Sequence, residues 1–336
     1  MKNHFEKLSE WMKNMIEISL CMIVKNEEKV LARCLDSVAD LVDEIIIVDT
    51  GSTDNTKKIA EKYTKNIYDF EWIDDFSAAR NYSFSKATKD YIYVADADEV
   101  IDEENRQKFR DLKEILLPEI DIVQMKYCNQ LANGTAYNFD EEYRPKLYKR
   151  LRSFEWIEPV HEMVRLDPIV YDSEIDILHM PETVHSGRDF RVFQKHIKNG
   201  MTLSKRLHHM YAMELFISGE DKDFLEAEAF FSQTASDPSR SIDEVKEAAC
   251  VVTKAARLRD DASTILKMCL KDLLSEGSSE MCYELGEYFF GKGDCEEAAM
   301  WYYNAMHETQ SILNIHTSTD LPEVRYEECV RRVNGK

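Results

Sequence analysis

The sequence predicts an α/β domain on a parallel sheet, followed by an all-α domain of paired helices. Three observations carry this. Strand-like and helix-like segments alternate from residue 16 to residue 98. A run of short strands with turns between them follows over 121–180. From about residue 190 every patterned segment is helical. The expected divisions are an N-terminal helical extension over 1–15, the α/β domain over 16–190 and helical repeats over 191–336.

"IEISLCMIV" (16–24) is apolar but for Glu17 and Ser19, as expected of a strand buried on both faces. "KVLARCLDSVADL" (29–41) carries apolar residues at helical spacing, and "EIIIVDT" (44–50) is a second strand. "TDNTKKIAEKY" (53–63) predicts a helix capped by Thr53 or Asp54. "KNIYDFEW" is a third strand, "FSAARNYSFSKA" (76–87) a third helix and "YIYVADAD" a fourth strand. This rhythm implies a parallel sheet flanked by helices. Ligands of such sheets bind beyond the carboxyl ends of the strands, where Asp49 and Asp96 both fall. "DIVQMKYCNQL", "YRPKLYKR" and "SEIDILHM", with a turn at "ANGT" (132–135), predict an antiparallel or mixed extension of the sheet.

In the helical half, "CYELGEYFFGKGDCEEAAMWYYNAM" (282–306) places Leu285, Gly286, Phe289, Ala298, Tyr302 and Ala305 at tetratricopeptide-repeat spacing. Ala249 and Val252 stand thirty-seven residues earlier, and Ala212, Leu215, Ala227 and Phe231 mark a further copy. Three copies predict a short solenoid with a concave face.

The net charge is −21, from 43 basic and 64 acidic residues, which argues against nucleic acid as a partner. The eight cysteines include no C-x-x-C pair and read as reduced thiols of a cytoplasmic protein. No stretch has the length of a membrane span or signal peptide. Phe5, Leu8, Trp11, Met12 and Met15 sit at helical spacing, for packing on the protein itself or for peripheral membrane contact.

The chemistry concentrates in "YIYVADADEV" (91–100), a strand that runs into Asp96, Asp98 and Glu99. Carboxylates ending a buried strand need a cation, basic partners or solvent. On an extended chain Asp96 and Asp98 would point the same way, and two aligned carboxylates suit one hard divalent ion. Glu99 is either part of that group or a cap of the next segment. Asp49 precedes the small-residue turn "TGST" and either binds a ligand or caps the following helix. Glu27 is either in the site or a solvated helix start, and Arg80 is either a ligand contact or a surface cation.

"ISLCMIVKNEE", "IIIVDTGSTDNT", "FSAARN" and "VADADE", in this order and spacing, resemble the nucleotide-sugar half of a family 2 glycosyltransferase with the Rossmann-like GT-A fold. The subtype resembled carries tetratricopeptide repeats after its catalytic domain and includes enzymes acting on lipopolysaccharide core and on bacteriocin peptides. The resemblance implies a UDP-sugar donor, a divalent cofactor (Mn²⁺ or Mg²⁺) and inverting transfer. By it, Ile23, Lys25, Asn26, Glu27, Asp49, Ser52, Arg80, Asp96, Ala97 and His161 bind the donor, Asp49 through the uracil N3–H. It makes Asp98 the direct metal ligand and Asp96 a ribose or metal ligand. A third ligand, a histidine after a strand, is His179 or His185. Glu162 in "VHE" is the candidate base and Asp98 the other catalytic residue, although the commoner ED motif of the family is absent.

The implied acceptor is a peptide or protein side chain (Ser, Thr or Cys) held by the repeats, with a lipopolysaccharide-core or envelope glycan as the alternative. A repeat-based peptide-binding protein with an inactive transferase half is the non-enzymatic alternative. A nucleotidyltransferase would want a glycine-rich basic loop after the first strand, where "IVKNEE" stands. A homodimer is a further expectation.

Overall fold

The computed structural model describes residues 15–128, 142–164, 167–181, 186–272 and 276–335. Residues 1–14 of the expected N-terminal helical extension (1–15), the "ANGT" turn and His185 lie outside these residues. The chain divides into two compact units, Met1–Val184 and His185–Lys336.

The first unit is an eight-stranded mixed sheet, the α/β class expected. Its strands are β1 (Ile18–Val24), β2 (Glu44–Asp49), β3 (Asn66–Asp69), β4 (Tyr91–Val94), β5 (Glu99–Val100), β6 (Ile122–Cys128), β7 (Glu142–Lys149) and β10 (Val170–His179), in the order β3-β2-β1-β4-β7-β6-β10-β5. A separate ribbon pairs β8 (Trp156–Ile157) with β9 (Met163–Val164). β3, β2, β1 and β4 are mutually parallel. β7 runs antiparallel to both β4 and β6, and β10 is parallel to β6. β1, β2, β4 and β10 therefore all end at one edge of the sheet.

Helices α1 (Leu31–Val38), α2 (Thr56–Ala60), α3 (Phe76–Phe84) and α4 (Glu103–Ile115) cover the sheet. Alternation along β1 sorts its side chains. Ile18, Leu20 and Met22 join Leu31, Leu35 and Phe109 in one layer. Cys21 joins Ile46, Ile92, Tyr148 and Trp156 in the other, under Tyr82 and Phe84 of α3. Burial on both faces explains the nearly continuous apolar run that marked this strand.

Some local expectations are corrected. α2 spans Thr56–Ala60 only, with Asn55 at its N-cap position. Asp54 instead accepts from the Thr56 N–H and hydroxyl, a turn bond that competes with helix. The third strand stops at Asp69, and the indole of Trp72 donates to Asp74 in the turn beyond.

The second unit holds α5 (Ser186–Lys198), α6 (Lys205–Ser218), α7 (Asp221–Thr234), α8 (Ile242–Leu258), α9 (Ala262–Asp272), α10 (Ser279–Gly291), α11 (Cys295–His307) and α12 (Asp320–Asn334). α6, α8 and α10 each follow a serine, Ser204, Ser241 and Ser278, at the thirty-seven-residue period. Ser204 and Ser241 accept from N–H groups of the first turn. Ser278 instead donates to Asp272. Gly286 of α10 faces α11, and a Cβ there would lie 2.5 Å from the buried Tyr302 ring. Buried Glu280 closes the array by accepting the N–H groups of Ile312, Leu313 and Asn314 at 2.8–3.1 Å. Among the described residues no helix is long and apolar enough to cross a membrane.

Candidate active site

The loops after β1 and β2 lock together at the sheet edge. Asn26, left-handed at φ 57°, accepts the Thr53 N–H through Oδ1 at 2.8 Å. Its own N–H donates to Ser52 Oγ, and the Glu27 N–H donates to Thr56 Oγ1 at 2.7 Å. Ile23 is partly buried and Lys25 is exposed.

Asp49 is 1% exposed. Its Oδ1 accepts from the N–H groups of Gly51 and Ser52 at 3.0 and 2.9 Å, so it braces the turn and does not cap α2. Its Oδ2 is buried without a hydrogen-bond partner. A bare buried carboxylate oxygen is costly, and a donor N–H from a bound ring would relieve it. Gly51, at φ 101°, lets the turn close where a side chain would be strained.

The expectation of an extended chain through Asp96 and Asp98 is corrected. β4 ends at Val94, and the Glu99 N–H donates to the Asp96 carbonyl, which turns the chain back. Ala97 is buried in that turn. The two carboxylates therefore take different partners: Asp96 faces Arg80 at 3.2 Å, and Asp98 faces Nε2 of His179 at 3.4 Å. The Met180 N–H donates to the Asp98 carbonyl, and Arg33 donates to the Met180 carbonyl, which fixes the end of β10. Of the two candidate histidines, His179 lies beside Asp98 and His185 lies outside the described residues.

Among the described residues no three His, Cys, Asp or Glu side chains form a metal-holding group. Asp98 and His179 nonetheless offer one oxygen and one nitrogen donor on the same side, with side chains 17% and 14% exposed. That pair fits a divalent ion drawing its other ligands from diphosphate and water.

Arg80 of α3 is the hub. Its Nε pairs with Glu162, its guanidinium pairs with Asp96, and it lies 5.2 Å from the centroid of the Trp156 ring. Burial works against its charge, and Glu162 and Asp96 outweigh burial and hold its pKa above the ordinary value. Burial would raise the Asp96 pKa, but Arg80, Lys146 and Arg144 hold it well below the usual carboxylate range. Glu162 stands just before β9, and the preceding His161 is left-handed at φ 48°.

Sequence reasoning missed the pair beneath this edge. Lys146 of β7 binds Glu99, both nearly fully buried. Burial first, then Asp96 and Asp98, push the Glu99 carboxyl up to about 7 against the pull of Lys146. Glu99 does not cap the next segment; Asp102 caps α4 by accepting the Asn105 N–H. The signal was present in "YRPKLYK", where Arg144 and Lys146 share one face of a strand and a buried cation demands a counter-ion.

Acids, an arginine and a histidine are thus gathered past the parallel strands of the α/β unit. Residues 19–164 match the family described as glycosyl transferase family 2. Glycosyltransferase SunS of a Bacillus subtilis prophage is 32% identical over 170 residues, 47% of this chain and 36% of that protein. A TPR repeat-containing protein of Synechococcus elongatus is 53% identical over 85 residues, 25% of this chain and 21% of that protein. The chain thus spans between a fifth and about a third of the length of these relatives. Glucosyl-3-phosphoglycerate synthase of Mycobacterium tuberculosis superposes with a TM-score of 0.41 at 16% identity, over 59% of this chain and 84% of that one.

Proposed function

We propose that the chain is an inverting glycosyltransferase that moves a hexose or N-acetylhexosamine from a UDP-sugar to a nucleophilic acceptor. The observation that carries this reading is the convergence at one sheet edge of buried Asp49, the Asp98–His179 pair and the Arg80–Glu162 pair. Asp49 accepts the uracil N3–H on its bare oxygen. Arg80 binds the ribose–diphosphate side of the donor. Asp98 and His179 hold the cation, Mn²⁺ or Mg²⁺, which supplies positive charge for the departing diphosphate. Glu162 takes the proton of the acceptor hydroxyl or thiol as its oxygen or sulfur bonds to the anomeric carbon and the bond from that carbon to the diphosphate oxygen breaks.

The acceptor is a peptide or protein side chain. The helix-pair array favours this, since stacked pairs form extended concave surfaces that hold peptides. The eight cysteines, none of them in a C-x-x-C pair, support a reducing, cytoplasmic setting.

Calorimetry of UDP with Mn²⁺, then a UDP-release screen of UDP-sugars on wild type and Glu162→Gln, tests the donor half. UDP binding without turnover of any UDP-sugar, in the presence of peptide or glycan acceptors, would leave a binding protein. Mass spectrometry of peptides and envelope glycans after incubation with the active donor separates the two acceptor classes.

A further inference from the structure

The loop that carries Glu162 is poorly supported by its own backbone. It is closed by two residue pairs, Trp156 with Val164 and Ile157 with Met163, far too few for an independent ribbon. Within it Glu158 and His161 are left-handed, at φ 73° and 48°. Each non-glycine residue in that region costs on the order of 1–2 kcal/mol. Something outside the loop must hold it.

That support comes from α3. The Phe76 N–H donates to the Pro159 carbonyl at 2.9 Å, and Arg80 pairs with Glu162 itself. Asn81 supplies the third tie. Its Nδ2 donates to the Trp156 carbonyl at 2.9 Å, and its Oδ1 accepts from the Trp156 N–H at 2.8 Å. One side-chain amide thus satisfies both backbone groups of a single residue, as a neighbouring strand would. Of the three ties, Phe76 acts through its backbone, and Arg80 is already assigned to the donor. Asn81 is the one whose removal leaves the site's charges in place.

We infer that Asn81 is a positioning residue: its amide clamp on the Trp156 backbone sets the loop that aims Glu162. This rests on the reading of Glu162 as base. An aspartate at 81 would keep the acceptor for the Trp156 N–H but set a carboxylate oxygen against the Trp156 carbonyl. Alanine would lose both bonds. Because Asp49, Asp98 and His179 hold UDP from outside this loop, a misaimed base slows proton transfer and the effect falls mainly in kcat.

The test uses the full chain and the most active UDP-sugar, with water as acceptor. Asn81→Ala is expected to lower kcat about tenfold or more, while KM and UDP–Mn²⁺ affinity stay within about twofold. Amide hydrogen exchange over 155–163 should accelerate in the same variant. Asn81→Asp, the gentler change, should give a smaller fall in kcat with the same KM. Asn314 is the control, since its amide makes a comparable pair of bonds in the other unit, to the Phe216 carbonyl and the His316 N–H. Asn314→Ala should leave kcat alone. An unchanged kcat in Asn81→Ala, or a loss matched by Asn314→Ala or by weaker UDP binding, overturns the proposal. Glu162→Gln in the same assay separates the two claims. A slow Glu162→Gln beside a fast Asn81→Ala removes the clamp alone. A fast Glu162→Gln removes the base assignment, and the clamp's catalytic meaning goes with it.

Discussion

The sheet edge and the helix array are held by the same kinds of ion pair over very different sequence distances. At the edge Arg80 reaches Glu162 across 82 residues and Lys146 reaches Glu99 across 47. In the array the spans are 39 for His208 with Glu247, 27 for Arg257 with Glu284 and 38 for Arg325 with Glu287, each between neighbouring helix pairs. Each helix pair leans on its neighbour, so array stability sums over adjacent modules. The edge depends on the whole sheet arriving in register. Damage at the edge should therefore appear as lost chemistry on an intact fold, and damage in the array as lost stability with donor binding intact.

The largest expected effect is Asp98→Ala. Losing the carboxylate beside His179 should cost about a hundredfold or more in turnover, with the melting temperature nearly unchanged. Retained turnover with unaltered metal dependence would remove Asp98 from the site. Next is Asp49→Ala, which loses a charge-assisted bond of roughly 1.5–3 kcal/mol, about tenfold to a hundredfold in UDP affinity. Unchanged affinity by calorimetry would reduce Asp49 to a brace for the Gly51–Ser52 turn.

Gly286→Ala tests the array from the other side. Its methyl group would meet the buried Tyr302 ring at 2.5 Å. Overpacking costs about 1–3 kcal/mol, offset by about 1 kcal/mol from the better helix propensity of alanine. Thermal denaturation should show the loss while UDP affinity holds. A fall in UDP affinity would break the proposed division of roles.

The smallest effect is a pH dependence. Glu247 accepts from His209 Nδ1 and holds the imidazole above its ordinary 6.5, with burial opposing. Burial would raise the Glu247 pKa as well, but His208 and His209 outweigh it and keep that carboxyl low. A raised base stabilises the fold fully below about pH 6.5 and loses that contribution as pH rises through its folded pKa. His209 is 40% exposed, so screening keeps the term under about 1 kcal/mol. The Tm gap between wild type and His209→Gln should be widest near pH 6 and close toward about pH 9. A gap that widens with pH would reverse the sign.

Much of this was legible in the sequence because it is periodic. β1 and β2 are largely apolar runs, and the Gly286–Tyr302 contact follows from repeat spacing. The thirty-seven-residue period located α6, α8 and α10. The parallel order placed Asp49 and Asp96 at one edge. What stayed hidden has no period. The turn at Asp96–Glu99 breaks the alternation that aligned two aspartates. Lys146 meets Glu99 only because β7 enters the sheet antiparallel between β4 and β6. Asn81 finds Trp156 only once α3 lies against the ribbon. Contacts of this kind are set by tertiary geometry, to which local propensity is blind.

Glu280 has a bearing on how such a chain could grow. The equivalent position one period earlier is Asp243, an exposed side chain paired with Lys205. Glu280 is buried and committed to the amides of Ile312, Leu313 and Asn314. The two positions are cognate in register but not interchangeable. A module duplicated before α9 would leave these bonds in place. Inserted downstream, it would part a desolvated carboxylate from the amides that neutralise it. Gene duplication, or an engineer, can lengthen this array from the inside but not at its carboxyl-terminal seam.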